Sequence, residues 1–154
     1  MTQLVCRSMK DAVDFAIDRE EKARDFYLQC MERARQPGVK EFFREMADEE
    51  EHHRQLLADL DVSNAEMITP AGGETDLHLS DYLVDVAFSP DITYQQALAM
   101  AAKKEEKART FYAAWQNRCG DQRVTDLFAF LAAEEQKHKH KIEAIYDNEI
   151  LQWD

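Results

Sequence analysis

Apolar residues recur every three or four positions along four long stretches of the chain, and turn-forming residues separate the stretches. The first opens after Ser8, which with Asp11 resembles a capping box, and runs unbroken to Pro37-Gly38. A second helix is predicted from about Val39 to Leu60. Thr93 with Gln96 three residues later, directly after Ser89-Pro90, marks a third start, and that helix is predicted to end near Cys119-Gly120. The fourth runs from about Gln122 to Tyr146. The pattern therefore predicts an all-α domain over residues 1–154 built from two antiparallel helical hairpins, about 8–60 and about 93–147. The connection between them, about 61–92, holds Thr69-Pro70-Ala71-Gly72-Gly73 and then LSDYLVDV, a candidate short helix capped by Ser80. Adjacent antiparallel helices need only a handful of linking residues. A four-helix bundle whose chain must travel back along its whole length needs a long crossover.

The two hairpins are written alike. Glu20 to Tyr27 reads EEKARDFY, and Glu105 to Tyr112 reads EEKARTFY, an offset of 85 (105 − 20). The same offset pairs Ala12 with Ala97, Ala16 with Ala101, Phe43 with Phe128, Ala47 with Ala132, Glu50 with Glu135 and His53 with His138. Helical periodicity alone reproduces apolarity, not identical polar residues at one offset. The chain reads as a duplicated helical hairpin.

Those polar residues fall where a bundle buries its side chains. The core-facing stripe of the first helix is Val13, Ala16, Glu20, Ala23, Tyr27, Cys30 and Ala34; that of the third is Leu98, Ala101, Glu105, Ala108, Tyr112, Trp115 and Cys119. The second gives Phe43, Met46, Glu50, His53, Leu57 and Leu60, and the fourth Phe128, Leu131, Glu135, His138, Ile142 and Ile145. Glu20 lies 17 residues before Pro37 and Glu50 lies 13 after it; Glu105 and Glu135 each lie 15 from Gly120. At about 1.5 Å rise per residue the members of each hairpin sit level to within a turn. The second helix also contains Glu49-x-x-His52, but the corresponding positions of the fourth are Glu134 and Lys137, and lysine is a poor ligand. Only Glu50-x-x-His53 and Glu135-x-x-His138 occur in both halves.

An unpaired carboxylate buried in a bundle core costs several kcal/mol or keeps its proton. Two divalent cations offset four carboxylates. Oxygen donors with one imidazole per ion suit iron or manganese better than the thiolate-rich sites zinc prefers. Alanine at 16, 23, 101 and 108 would leave room for the ions and exogenous ligands.

One glutamate on each of two helices with E-x-x-H on each of the other two is similar to the ligand pattern of ferritin-like di-metal proteins. In detail the chain resembles the rubrerythrin branch: its octads resemble that family's E-x-x-A-x-x-F-Y run, and Met46 to His53, MADEEEHH, resembles its L-A-x-E-E-x-x-H run. The resemblance spans all four helices. It implies a ferritin-like four-helix bundle in which Glu20, Glu50, His53, Glu105, Glu135 and His138 hold two iron ions, with manganese as the alternative at one or both positions. It also implies that Tyr27 and Tyr112 hydrogen-bond ligand carboxylates. The chain departs from the family in having no paired C-x-x-C of a rubredoxin domain, and in having Ala108 where the family has a further glutamate one turn beyond the third-helix ligand. A more symmetric centre and an external electron donor, such as a rubredoxin-type protein, are expected. The implied activity is reduction of hydrogen peroxide or dioxygen at a carboxylate-bridged di-iron centre. The alternatives are ferroxidase or iron-storage activity, and an inert structural bundle.

Charge and cysteine usage narrow the setting. A formal net charge of −12 argues against nucleic acid, which requires a basic face, and disfavours an anionic membrane. No apolar run approaches the length of a membrane span, and MTQLVCRSMKD lacks the apolar core of a secretory signal. Cys6, Cys30 and Cys119 form no C-x-x-C pair, and Cys30 and Cys119 read as buried packing residues. A cytoplasmic protein is expected. His78 and His140 are expected to be solvated, and Lys22, Arg24, Lys107 and Arg109 to pair with acids on the bundle surface. Leu79, Tyr82, Leu83, Val86 and Phe88 in the crossover suggest a surface that covers a partner, hence a homodimer.

Overall fold

The structure, a computed structural model, describes residues 5–6, 8–63, 77–78, 88–118, 120–148 and 153. Among them the chain forms helices α1 (Met9–Arg33), α2 (Pro37–Ala58), α3 (Tyr94–Trp115) and α4 (Gln122–Asn148). It also forms a two-residue antiparallel pair, β1 (Val5–Cys6) with β2 (Leu77–His78), which the hydropathy pattern did not anticipate. The predicted Ser80-capped helix, the Pro70 turn, Cys119, and the proposed partner-facing Leu79, Tyr82, Leu83 and Val86 lie outside the described residues.

Local chemistry sets the helix ends. The Ser8 hydroxyl accepts the Asp11 N–H at 3.1 Å, satisfying one of the free donors of the first turn. Thr93 and Gln96 form the full reciprocal box: the Thr93 hydroxyl accepts the Gln96 N–H at 3.1 Å, and Oε1 of Gln96 accepts the Thr93 N–H at 3.0 Å. Pro37 does not end α1 but opens α2, because its fixed φ suits the first helical turn and it has no N–H to leave unpaired. Helix α1 stops earlier, at Arg33, where Ala34 turns extended. Its short link to α2 is tied by a residue far along the chain: the carbonyl of Trp153 accepts from the N–H groups of Arg35 (2.5 Å) and Gln36 (2.9 Å). The Trp153 ring packs on Phe43 and Tyr94, with the Arg33 guanidinium over its face. The third helix also stops short of its expected end, at Trp115.

Helices α1 and α2 pack along their length, as do α3 and α4. Two apolar clusters fill the bundle. One joins the start of α1 (Met9, Val13, Ala16), the end of α2 (Leu57), the end of α3 (Phe111, Trp115) and the start of α4 (Phe128, Leu131). The other joins the end of α1 (Tyr27, Cys30), the start of α2 (Phe43, Met46), the start of α3 (Leu98, Ala101) and the end of α4 (Ile142). Helix α2 thus ends at one end of the bundle and α3 begins at the other, which is why the crossover is long. Chain order reads apolar, polar, apolar on every helix: Ala16–Glu20–Ala23, Ala47–Glu50–His53–Leu57, Ala101–Glu105–Ala108, Leu131–Glu135–His138–Ile142. A polar layer separates the two clusters. This is the ferritin-like four-helix bundle.

Elsewhere the surface behaves as its charges require. Arg24 reaches across from α1 to Glu51 at 2.6 Å, Lys22 pairs with Asp18, and Arg109 pairs with Glu106. Cys30 is buried, and burial pushes its thiol up to about 12 against the pull of Lys104, so it is an inert packing residue. His140 is exposed. Phe88 packs on Phe26 of its own chain. No helix among the described residues is long and apolar enough to cross a membrane.

Candidate metal centre

All six acid and imidazole residues of the stripes meet in the polar layer. Glu20, Glu50, Glu105, Glu135 and His138 are each 1 % exposed and His53 is 3 % exposed, a degree of burial that charged groups tolerate only when compensated. Their donor atoms fall into two groups, Glu20–Glu50–His53–Glu135 and Glu50–Glu105–Glu135–His138, each with one atom per residue inside a 4.8 Å span. Glu50 and Glu135 belong to both groups. Glu20 with His53, and Glu105 with His138, belong to one each.

Four hydrogen-bond contacts of the layer cross from one hairpin to the other, in two pairs related by the 85-residue offset. The Tyr27 hydroxyl donates to Oε1 of Glu105 at 2.5 Å, and the Tyr112 hydroxyl to Oε1 of Glu20 at 2.6 Å. Nδ1 of His53 lies 3.0 Å from Oε1 of Glu135, and Nδ1 of His138 lies 2.9 Å from Oε1 of Glu50. The two imidazoles stack with centroids 5.7 Å apart. Tyr27 belongs to one apolar cluster and Tyr112 to the other, so each phenol closes the layer from its own side.

Two carboxylate oxygens have no hydrogen-bond partner among the described residues: Oε2 of Glu20 and Oε2 of Glu105. Each faces an Nδ1 beyond hydrogen-bond reach, at 3.7 Å from His53 and 3.6 Å from His138. A buried, orphaned acceptor costs about 1–3 kcal/mol, more when charged. Here two occur at equivalent positions beside converging donors. The donor set, carboxylate oxygens with one imidazole nitrogen per group, suits divalent metal ions such as iron or manganese. The residues fit a pair of cations.

Without cations the acids of the layer are pushed in opposite directions. Burial, and then the surrounding carboxylates, push Glu50 and Glu135 well above the usual carboxylate range. Burial also pushes Glu20 up, but neighbouring Glu50, His53 and Tyr112 outweigh it and hold Glu20 at about 2. Glu105 is lowered in the same way by Glu135, His138 and Tyr27. Burial opposes the charge on His138, but Glu105 and Glu49 overcome it and raise the ring to about 11. Burial and the nearby acids raise both tyrosines well above the phenol range, so they stay protonated and donate.

The sequence assigned no structural role to three residues that the fold puts to use. Glu49, set aside as a ligand, contacts the outer Nε2 of His138, while its E-x-x-H partner His52 is exposed. Arg19 is buried and donates to the Lys104 carbonyl at 2.9 Å. Trp153 seals one end of the bundle. The first carried a signal, since Glu49 and Glu134 repeat at the 85-residue offset; a stripe analysis passes over a residue one position off the core face.

The chain matches the rubrerythrin family over residues 11–146. It belongs to that family. It is also similar to a solved structure, a hypothetical protein from Pyrococcus furiosus, with a TM-score of 0.66 and 25% identity over 88% of this chain and 86% of that one. Among curated proteins none matches the chain.

Proposed function

We propose that this protein is a di-iron oxidoreductase that reduces hydrogen peroxide or dioxygen with electrons from an external donor such as a rubredoxin-type protein. Glu20 and His53 would hold one ion, Glu105 and His138 the other, and Glu50 and Glu135 both. The observation that carries this reading is the sharing of Glu50 and Glu135 by two ligand groups, each with an orphaned carboxylate oxygen. Bound iron supplies two one-electron changes at one place, matching the two-electron cleavage of an O–O bond.

The chain's own residues do the rest. Tyr27 and Tyr112 fix Glu105 and Glu20 through their Oε1 atoms and leave Oε2 directed at the ligand groups. Burial and mutual repulsion favour the protonated form of Glu50 and Glu135, and arriving cations would favour the ionised form. Ala16, Ala23, Ala101 and Ala108, all buried, keep bulk away from the layer, and the apolar clusters on either side exclude water. Ala108 leaves the donor count of the two groups equal.

The test is metal analysis followed by reoxidation kinetics. Protein loaded anaerobically with ferrous ion is expected to hold about two irons per chain. Reduced protein should reoxidise with peroxide or dioxygen faster than free ferrous ion, and a reduced rubredoxin-type donor should sustain peroxide consumption. Less than one metal per chain, or reoxidation no faster than that of the free ion, would overturn the proposal.

A second reading, ferrous-ion oxidation for iron storage, is favoured by one feature. A cavity of about 280 Å³ lined by Asp48, Glu49, His52, His53, Phe130 and Glu134 brings three carboxylates to the outer side of the centre. Sustained oxidation of many ferrous ions per chain without an added donor, together with assembly into a large particle, would favour it over peroxide reduction.

A further inference from the structure

The hydrogen bonds inside the polar layer are duplicated at the 85-residue offset, but the contacts on the outer nitrogens of the two histidines are not. Nδ1 of each ring faces the ligand groups, so Nε2 faces outward. Nε2 of His138 meets the Glu49 carboxylate. Nε2 of His53 has no hydrogen-bond or ion-pair partner among the described residues. Its counterpart acid, Glu134, lies 3.9 Å from Lys137 instead.

The cause is written where the repeat breaks. The fourth helix has Phe130, Ala133 and Lys137 where the second has Glu45, Asp48 and His52. Glu134 lies beside Lys137 on its own helix, and the Phe130 and His53 rings meet nearly at right angles with centroids 6.4 Å apart. His53 is left with a phenyl ring and the mouth of the outer cavity; His138 is left with a carboxylate.

From this difference we infer that Glu49 is a positioning residue for His138, and that it makes the two cation positions unequal, the Glu105–His138 position binding more tightly than the Glu20–His53 position. An imidazole that donates its outer N–H to a carboxylate is fixed in ring orientation and tautomer, and its inner nitrogen is the stronger donor. Removing such a partner lowers metal affinity about 10- to 100-fold. Glu49 is about half exposed and on the surface of α2, so it acts through His138 and not as a ligand. The Glu20–His53 position lies beneath the cavity and lacks the restraint, so it fills second and exchanges first. The inference rests on the di-metal reading of the centre.

The test uses Co²⁺ alone, titrated into the metal-free protein and followed by its visible absorption and by calorimetry. The natural sequence should take up Co²⁺ in two steps separated by about tenfold or more in affinity. Glu49→Ala should weaken the tighter step about 10- to 100-fold and leave the other within about twofold. Glu49→Gln, which still offers an acceptor oxygen without the charge, should fall between. Glu134→Ala should leave both steps within about twofold. In the Co²⁺ form, one paramagnetically shifted imidazole N–H should exchange slowly with solvent, and Glu49→Ala should abolish it; a purely structural role would not move that signal. Equal losses at both steps in Glu49→Ala, no loss at either, or the same loss in Glu134→Ala would overturn the inference while leaving the di-metal reading intact. Failure of the natural sequence to take up two Co²⁺ ions would overturn both.

Discussion

The Tyr112 hydroxyl donates to Oε1 of Glu20 at 2.6 Å, joining residues 92 positions apart on opposite hairpins, and Tyr27 does the same for Glu105 in the reverse sense. Each of these two buried carboxylates is therefore oriented by the hairpin it does not belong to. The duplication does not produce two half-sites side by side; it produces one centre that neither hairpin can complete alone.

That relationship sets the first expectation. Tyr112→Phe keeps the ring in its cluster but leaves Oε1 of Glu20 buried without its donor, costing about 1–3 kcal/mol. Tyr27→Phe should cost a similar amount through Glu105. Urea unfolding of the metal-free protein measures both. If either variant matches the parent protein within about 0.5 kcal/mol, the phenols do not brace the carboxylates.

Stability of the metal-free protein should fall as pH rises above the ordinary carboxylate range. Glu50 and Glu135 have folded pKa values well above 4.5, and His138 is raised from 6.5 to about 11. For groups raised on folding, the native state binds more protons than the unfolded chain. Their contribution is full below the unfolded pKa and is lost progressively above it. Depressed groups such as Glu20, at about 2, act in the opposite sense but only below pH 4.5. Unfolding midpoints measured between pH 5 and 9 in a chelating buffer should decline. The double variant Glu50→Gln, Glu135→Gln, already neutral, should flatten the decline.

Cation binding should release protons, because the metal displaces those held on Glu50, Glu135 and Nδ1 of His138. Addition of Mn²⁺ at pH 7 in weak buffer should liberate protons, and affinity should increase with pH. A pH-stat titration measures the release. The Glu50→Gln, Glu135→Gln variant should release fewer protons and show no metal-dependent rise in melting temperature. Release in that variant equal to the parent would place the exchanging protons elsewhere.

Trp153 should matter to the whole fold although it lies in the terminal segment. Its ring touches Phe43 and Tyr94, and its carbonyl caps the α1–α2 link. Trp153→Ala should cost about 3–5 kcal/mol, as for a buried aromatic truncated in a core. The affinity for Co²⁺ at the centre should change little. Thermal melts with and without metal separate the two effects.

Much of this was legible in the residues. Ser8, Thr93 and Gln96 announced helix starts because capping is local chemistry. The stripes through Glu20, Glu50, Glu105 and Glu135 exposed the centre because a buried acid at helical spacing is costly unless something compensates it. Pro37 was less clear: a proline marks a boundary without saying whether one helix ends or the next begins there. The length of the crossover was evident, but not that Leu77–His78 in its middle would pair with a strand at Val5.

The chain alone determined which faces of which helices are buried and what chemistry interrupts them, since periodicity, capping and the 85-residue repeat act over one helix at a time. Only the tertiary structure decided the pairing: which tyrosine serves which glutamate, which carboxylates both ligand groups share, and that Glu49 reaches His138 while Glu134 turns to Lys137. Those are distances between side chains from helices that meet only when the hairpins close. No local pattern encodes them, and Trp153 joins them for the same reason, packing on Phe43, more than a hundred residues earlier in the chain.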